Sequence, residues 1–216
     1  MNEQKKERGQ SLVEMVMVLP VLLIFFIGVA EMGAALRNYL VVVNSSREGC
    51  RFAARGGFHD ELVGERVVIA GGSIRAGDFV TSTESVPFLR THSYDEHTAN
   101  SGVIVTHIVL SSTGEVLSTT QWYTGVVLAE GGALTESVPI AEDDSQLDLA
   151  EITARHVDST KKISEIRAAA MVDERENHVV VVEVFFLHPL LLDLPIVPLP
   201  NPIQLYARTE MRIWGE

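Results

Sequence analysis

Residues 10 to 56 read QSLVEMVMVLPVLLIFFIGVAEMGAALRNYLVVVNSSREGCRFAARG, and the placement of charge along this stretch decides the fold. Between Glu14 and Glu31 lie sixteen residues without a charge. With Leu12, Val13 and Glu14 the run reaches 19 residues, which as a helix span about 28 Å, close to the hydrocarbon thickness of a bilayer. Lys5, Lys6 and Arg8 precede the run, and only Arg37 lies within the fifteen residues that follow it. That asymmetry places the N-terminus on the cytoplasmic side and the remainder of the chain outside. Two residues are unusual for a plain anchor. Glu14 sits just inside the apolar run, where a charge is costly and marks a function. Pro20 deprives the Val16 carbonyl of its helical donor.

Beyond Ala30 the pattern stays helical. Met32, Leu36, Tyr39, Val43, Ser46, Cys50 and Ala53 recur at steps of three and four, which predicts one buried stripe. Arg37, Asn38, Ser45, Glu48, Arg51 and Arg55 are expected on the opposite face, with Glu48 and Arg51 close enough to pair across one turn. Gly56 and Gly57 supply a stop. The expectation is one helix from about Ser11 to Arg55, half in lipid and half lying on a folded body. The competing reading is a secretory signal cut after Ala30, with Gly28 and Ala30 as the small residues. A helix that continues into the mature domain argues against it.

Charge divides the chain in the same place. Residues 1–56 hold seven Lys/Arg and five Asp/Glu, whereas residues 57–216 hold ten and twenty-four, a net of −14. So acidic a body excludes nucleic acid as a partner and excludes a polybasic membrane-surface role. The single cysteine, Cys50, excludes an intramolecular disulfide framework and a thiolate metal site built from this chain alone.

Lys5-Lys6-Glu7-Arg8-Gly9 followed by Gln10-Ser11-Leu12-Val13-Glu14 resembles a type IV prepilin leader. Gly9, Glu14, Pro20, Glu31 and the stretch Ser46-Arg47-Glu48-Gly49-Cys50-Arg51 together resemble the N-terminal segment of the TadE-like family, minor pilins or pseudopilins of tight-adherence (type IVc) pili. The resemblance implies cleavage between Gly9 and Gln10 by a prepilin peptidase. It also implies a Glu14 that pairs, inside a helix bundle, with the new α-amine of an adjacent subunit. The partners implied are other minor pilins or pseudopilins and the major pilin of the same system, with surface adhesion as the outcome. Cys50 departs from the family pattern, where a small residue such as alanine is expected. It is either a small core hydrophobe or one half of an intersubunit disulfide.

The body reads as α+β, an antiparallel sheet packed on the spine helix. Val103–Leu110 and Glu115–Tyr123 flank the turn residues Ser111-Ser112-Thr113-Gly114 and predict a hairpin. Val179–Leu187 is the best central strand, and Gln204–Trp214 a closing edge strand. Short helices are expected at Asp60–Ala70 and Leu147–Ala154, the second capped from Asp143, Asp144 or Ser145. The segment from His188 to Pro202 holds five prolines and cannot extend a strand. It is expected as an extended crossover or as an apolar loop in which Leu191, Leu192 and Ile196 contact a neighbouring subunit. The organisation expected is a leader at 1–9, a membrane segment at 10–30, its amphipathic continuation at 31–56 and an extracytoplasmic domain at 57–216.

Catalytic patterns do not emerge. Gly71-Gly72-Ser73-Ile74-Arg75 lacks the glycine that a nucleophile elbow needs after its serine. His92, Asp95, Glu96 and His97 match neither a zincin helix nor a calcium loop and read as a solvated loop. The same holds for Glu142-Asp143-Asp144. His107, His178 and His188 fall in or beside strands, where structural imidazoles are the expectation. No catalytic, cofactor or metal set is assigned, and the chain is not expected to be an enzyme. The alternative class is a membrane-tethered or secreted extracytoplasmic enzyme or binding module.

Overall fold

A computed structural model describes residues 3–55, 60–75, 85–93, 98–128, 137–169, 177–190 and 202–213. Helix α1 runs without a break from Glu3 to Ala54, 52 residues or about 78 Å. It starts earlier than the expected Ser11 because Glu, Gln, Lys and Arg, which fill residues 3–8, are all good helix formers. Pro20 lies inside it without ending it. Gly56 and Gly57, the expected stop, lie outside the described residues. Helix α2 spans Asp60–Ala70, as expected. It ends where Gly72 takes a φ of +76° and donates to the Ile69 carbonyl at 3.0 Å, a left-handed stop that needs glycine. Strands β1 (Ser73–Arg75) and β2 (Ser85–Pro87) form a small separate pair.

The main sheet holds β3 (Ser101–Leu110), β4 (Val116–Leu128), β5 (Ser137–Pro139), β6 (Asn177–His188) and β7 (Ile203–Ile213), all antiparallel in the order β5-β4-β3-β6-β7. The expected hairpin is β3–β4. At its turn Gly114 takes a φ of +90° and donates to the Ser111 carbonyl at 3.0 Å. Strand β6 is interior, between β3 and β7, and β7 is an edge strand, both as read from the sequence. Alternation within β6 explains its unbroken apolar run. Val180, Val182, Val184 and Phe186 join one core with α1 and α2, while Val179, Val181 and Phe185 point to the other face.

The second face is covered by helix α3 (Leu149–Ala169), whose Ile152 packs on Ile108, Leu110, Val179 and Val181. Here the expectations need correction. The helix runs fifteen residues past Ala154, and its N-terminal donors are met by Asp148, not by Asp143, Asp144 or Ser145. Asp148 Oδ1 accepts from Ala150 N at 2.9 Å and Glu151 N at 3.3 Å. Glu142–Asp144 instead forms a separate 3₁₀ turn. The sheet is therefore sandwiched, with α1 and α2 on one face and α3 on the other.

Candidate functional site

The two halves of α1 meet different surroundings. From Leu12 to Val29 the large apolar side chains are exposed on every side of the helix, with only Ile27 half-buried. Water would penalise this surface at about 25 cal/mol per Å². It is the described segment that is long and apolar enough to cross a membrane, with a mean hydropathy of 2.7. Glu14 is exposed on this half and forms no ion pair among the described residues. Pro20 is exposed six residues further on. Gly9 and Gln10 lie within α1.

The C-terminal half is seated on the sheet, and the stretch from Ser46 to Arg51 makes the seat. Ser46 Oγ donates to the Val43 carbonyl at 2.9 Å and lies 2.8 Å from Thr209 Oγ1 on β7. Glu48 reaches Arg51 at 3.9 Å, the pairing expected from spacing, and Arg66 of α2 at 3.7 Å. A Cβ on Gly49 would come within 2.5 Å of Val67 Cγ2 on α2 and 3.5 Å of Val182 on β6. Glycine is what allows helix, helix and sheet to meet there. Gly64 plays the same part for α2, because a Cβ there would enter the ring of Trp122. Trp122, Val105, Val182 and Thr209 are register partners in one row across β4, β3, β6 and β7. Both glycines thus let their helices ride on a single row of the sheet.

Cys50 is fully buried and donates its S–H to the Thr209 carbonyl at 3.1 Å. Burial pushes the thiol up to about 12. It is packed as a core residue, and an intersubunit disulfide would require opening the helix–sheet seat. The expected stripe is half right. Ser46, Cys50 and Ala53 are buried, but Met32 is 76% exposed and Leu36 60% exposed. The stripe drifts because the helix leaves the sheet before those positions. Val42 and Ser45 join the buried side, so Ser45 is not on the polar face. Ser45 Oγ meets the Val41 carbonyl at 2.8 Å, which allows its hydroxyl to be buried.

Sequence reasoning missed a junction where α1 leaves the sheet. Asn38, assigned to the polar face, donates its amide to His188 Nδ1 at 2.9 Å. With Nδ1 accepting, the ring proton sits on Nε2, 3.6 Å from Glu31 Oε1. The partners are 150 residues apart in the chain, so no local pattern announces them. His188 itself is buried, in line with a structural imidazole. His107 and His178 likewise face each other at 2.9 Å. His92 is exposed, and Asp95, Glu96 and His97 lie outside the described residues. So do Leu191, Leu192 and Ile196. Among the described residues no group of three or more His, Cys, Asp or Glu is placed to hold a metal.

Residues 9–51, about a fifth of the chain, match the family model described as TadE-like protein. The chain carries a TadE-like segment. It begins at Gly9, spans the exposed apolar half of α1 and ends within the seat at Arg51. No curated protein and no solved structure matches this chain.

Proposed function

We propose that this chain is a single-pass minor pilin- or pseudopilin-like subunit of a tight-adherence type IV pilus, serving assembly and surface adhesion. The TadE-like segment supports involvement in such a system. The observation that carries the finer reading is the continuity of α1. One unbroken helix is apolar and exposed over its first half and clamped to the sheet over its second, which suits a subunit moved as one piece between bilayer and fibre.

In this reading the leader is cut between Gly9 and Gln10 by a prepilin peptidase, and Leu12–Ala30 crosses the cytoplasmic membrane with the body outside. Glu14 then meets the α-amine of Gln10 on a neighbouring pilin. Burying a lone carboxylate in lipid costs on the order of 3 kcal/mol at a helix centre, and a positive partner offsets that. Docking is thereby favoured over remaining alone in the bilayer. Pro20 loosens the backbone near the carboxylate and lets the helix bend there. Leu191, Leu192 and Ile196 are proposed as further contacts with neighbouring subunits.

Intact-mass measurement of the mature N-terminus tests the processing. A chain beginning at Gln10 supports the proposal. One beginning at Glu31 means a secreted protein, and an uncut one means a tethered enzyme or binding module. The Glu14→Gln variant tests the pairing: it is expected to insert and fold normally yet fail to co-isolate with partner pilins. Undiminished co-isolation would refute the role given to Glu14.

A further inference from the structure

Where α1 leaves the sheet, a cavity of about 550 Å³ opens between the helix and the strand ends, lined by Asn38, Phe88, Arg90, Asn100, Phe186 and His188 among others. Its cation is held by a rigid backbone. Arg90 N donates to Asn100 Oδ1 at 2.8 Å, and the Arg90 carbonyl accepts from Asn100 N at 2.9 Å and Ser101 N at 3.1 Å. Phe88 stacks on Phe186 at 4.8 Å and makes an apolar wall. The guanidinium is half-buried, yet among the described residues it faces only carbonyl oxygens, those of Thr98 at 3.1 Å and Pro87 at 3.5 Å. Among the described residues no carboxylate lies against it, and burial draws it below its usual range. A half-buried cation whose described partners are carbonyl oxygens is conspicuous on so acidic a body. His188, 4% exposed, lines the same cavity and is held there by Asn38 at 2.9 Å and Glu31 at 3.6 Å.

The level of the cavity along α1 identifies what could reach it. Ala34 and Asn38 line it, four and eight residues beyond the end of the charge-free run, or about 6 and 12 Å along the axis. On the outer side of the same turns Met32, Leu36, Tyr39 and Leu40 are exposed, which carries the lipid-facing surface up to this height. The polar layer of a bilayer is only roughly 5–8 Å deep, so the cavity stands at and just above the head groups. We infer that this cavity is a phospholipid head-group site in which Arg90 pairs with the phosphodiester of an acidic lipid. The inference rests on the membrane placement of α1 proposed above but not on the direction of crossing. Its consequence is to hold an acidic body against an acidic surface that would otherwise repel it.

The full chain is tested in nanodiscs of phosphatidylcholine with and without phosphatidylglycerol, by native mass spectrometry of retained lipid. Retention of phosphatidylglycerol is expected, with a loss of roughly ten-fold or more in Arg90→Gln, the scale of one charge-assisted hydrogen bond. No loss is expected in Arg51→Gln, an exposed arginine on the seat. Equal retention by Arg90→Gln overturns the inference, as does displacement of the lipid by equimolar glycerol phosphate or inorganic phosphate, which would assign the site to free phosphate. If Arg90→Gln does not fold, a benzophenone side chain at Thr98 in the otherwise native chain decides. Adducts that depend on phosphatidylglycerol support the site, and equal adducts in pure phosphatidylcholine refute it. Vesicle flotation separates the two readings. A chain that floats without showing Arg90 dependence refutes the head-group site alone, and one that does not float refutes the membrane placement with it.

Discussion

Replacing Gly49 by alanine should destabilise the body, although alanine is the better helix former by about 1 kcal/mol. The added Cβ would lie 2.5 Å from Val67 Cγ2, whereas carbon atoms rest at roughly 3.5–4.0 Å. About 1 Å of separation must therefore be found. Val67 cannot supply it by turning, because a valine in a helix is held to essentially one rotamer and this one is fully buried. Helix α2 must move instead, and that disturbs the contact of Gly64 with Trp122. Overpacking of this kind costs roughly 1–3 kcal/mol. Set against the propensity gain, the net loss is about 1 kcal/mol. Val67→Ala alone leaves a cavity and also destabilises, but in the double variant the new Cβ fills part of that space. A favourable coupling of about 1–2 kcal/mol is expected. Urea unfolding of the full chain in mild detergent, followed by tryptophan fluorescence, measures all four corners of the cycle. Additivity within about 0.5 kcal/mol, or a stabilised Gly49→Ala, would refute the account of the seat.

Glu183, fully buried, accepts from Ser145 Oγ at 2.5 Å, Gln146 N at 3.0 Å and Tyr206 OH at 2.8 Å, so Glu183→Ala should cost about 3 kcal/mol in urea unfolding, and Glu183→Gln distinctly less. Burial raises Cys50 from 9.0 to about 12, and burial followed by the Glu183 bond raises Tyr206 above 10.0. Both groups are held neutral in the fold, so their stabilisation is complete below pH 9 and declines as pH climbs toward 12, and the urea midpoint should fall over that window. At neutral pH the Cys50 thiol should resist alkylation until the protein unfolds, and rapid labelling of the folded chain would contradict its placement. His156 is lowered from 6.5, by burial first, so its contribution is complete above that pH and is lost on acidification; His156→Gln should flatten this limb of the stability profile.

Much of this fold could be read from the chain because the relevant forces act locally. A charge-free run followed by three-and-four spacing announces α1, turn chemistry at Ser111–Gly114 announces the β3–β4 hairpin, and a valine-rich run announces β6. The full length of helix α3 escapes a local reading for the opposite reason. Among its described side chains only Ile152 and Thr160 are buried, and its attachment to β7 is polar: Arg155 binds Glu210, Glu151 meets Arg208 at 3.5 Å, and Arg212 binds Thr160. Such a helix has little apolar period to detect. The buried seat is wider than the spacing predicts, taking in Ser45 and Gly49 beside Ser46 and Cys50, because serine and glycine weigh little on a hydrophobic scale, yet small size is what permits close approach. The Asn38–His188 contact joins opposite ends of the chain and has no local signature.

The TadE-like match covers both the exposed apolar half of α1 and the seat, and the packing shows why the two belong to one segment. Glu14 and Cys50 lie 36 residues apart on a continuous helix, about 54 Å. A displacement at the carboxylate reaches the sheet only if the lever does not bend where it leaves the body and does not slip where it is held. Bending at the exit is opposed by Asn38 and Glu31, which grip His188 at the end of β6 from two turns of the helix. Slipping is opposed by Ser46, Gly49 and Cys50, which lock onto Thr209, Val67 and Val182 at one level of the sheet. Pro20 lies on the N-terminal side of both grips, so any bend it permits is confined to the exposed apolar half and leaves the body's orientation on the lever unchanged. The body is thus coupled to the region around Glu14 by a stiff rod with its weak point placed where a bend does least to the sheet.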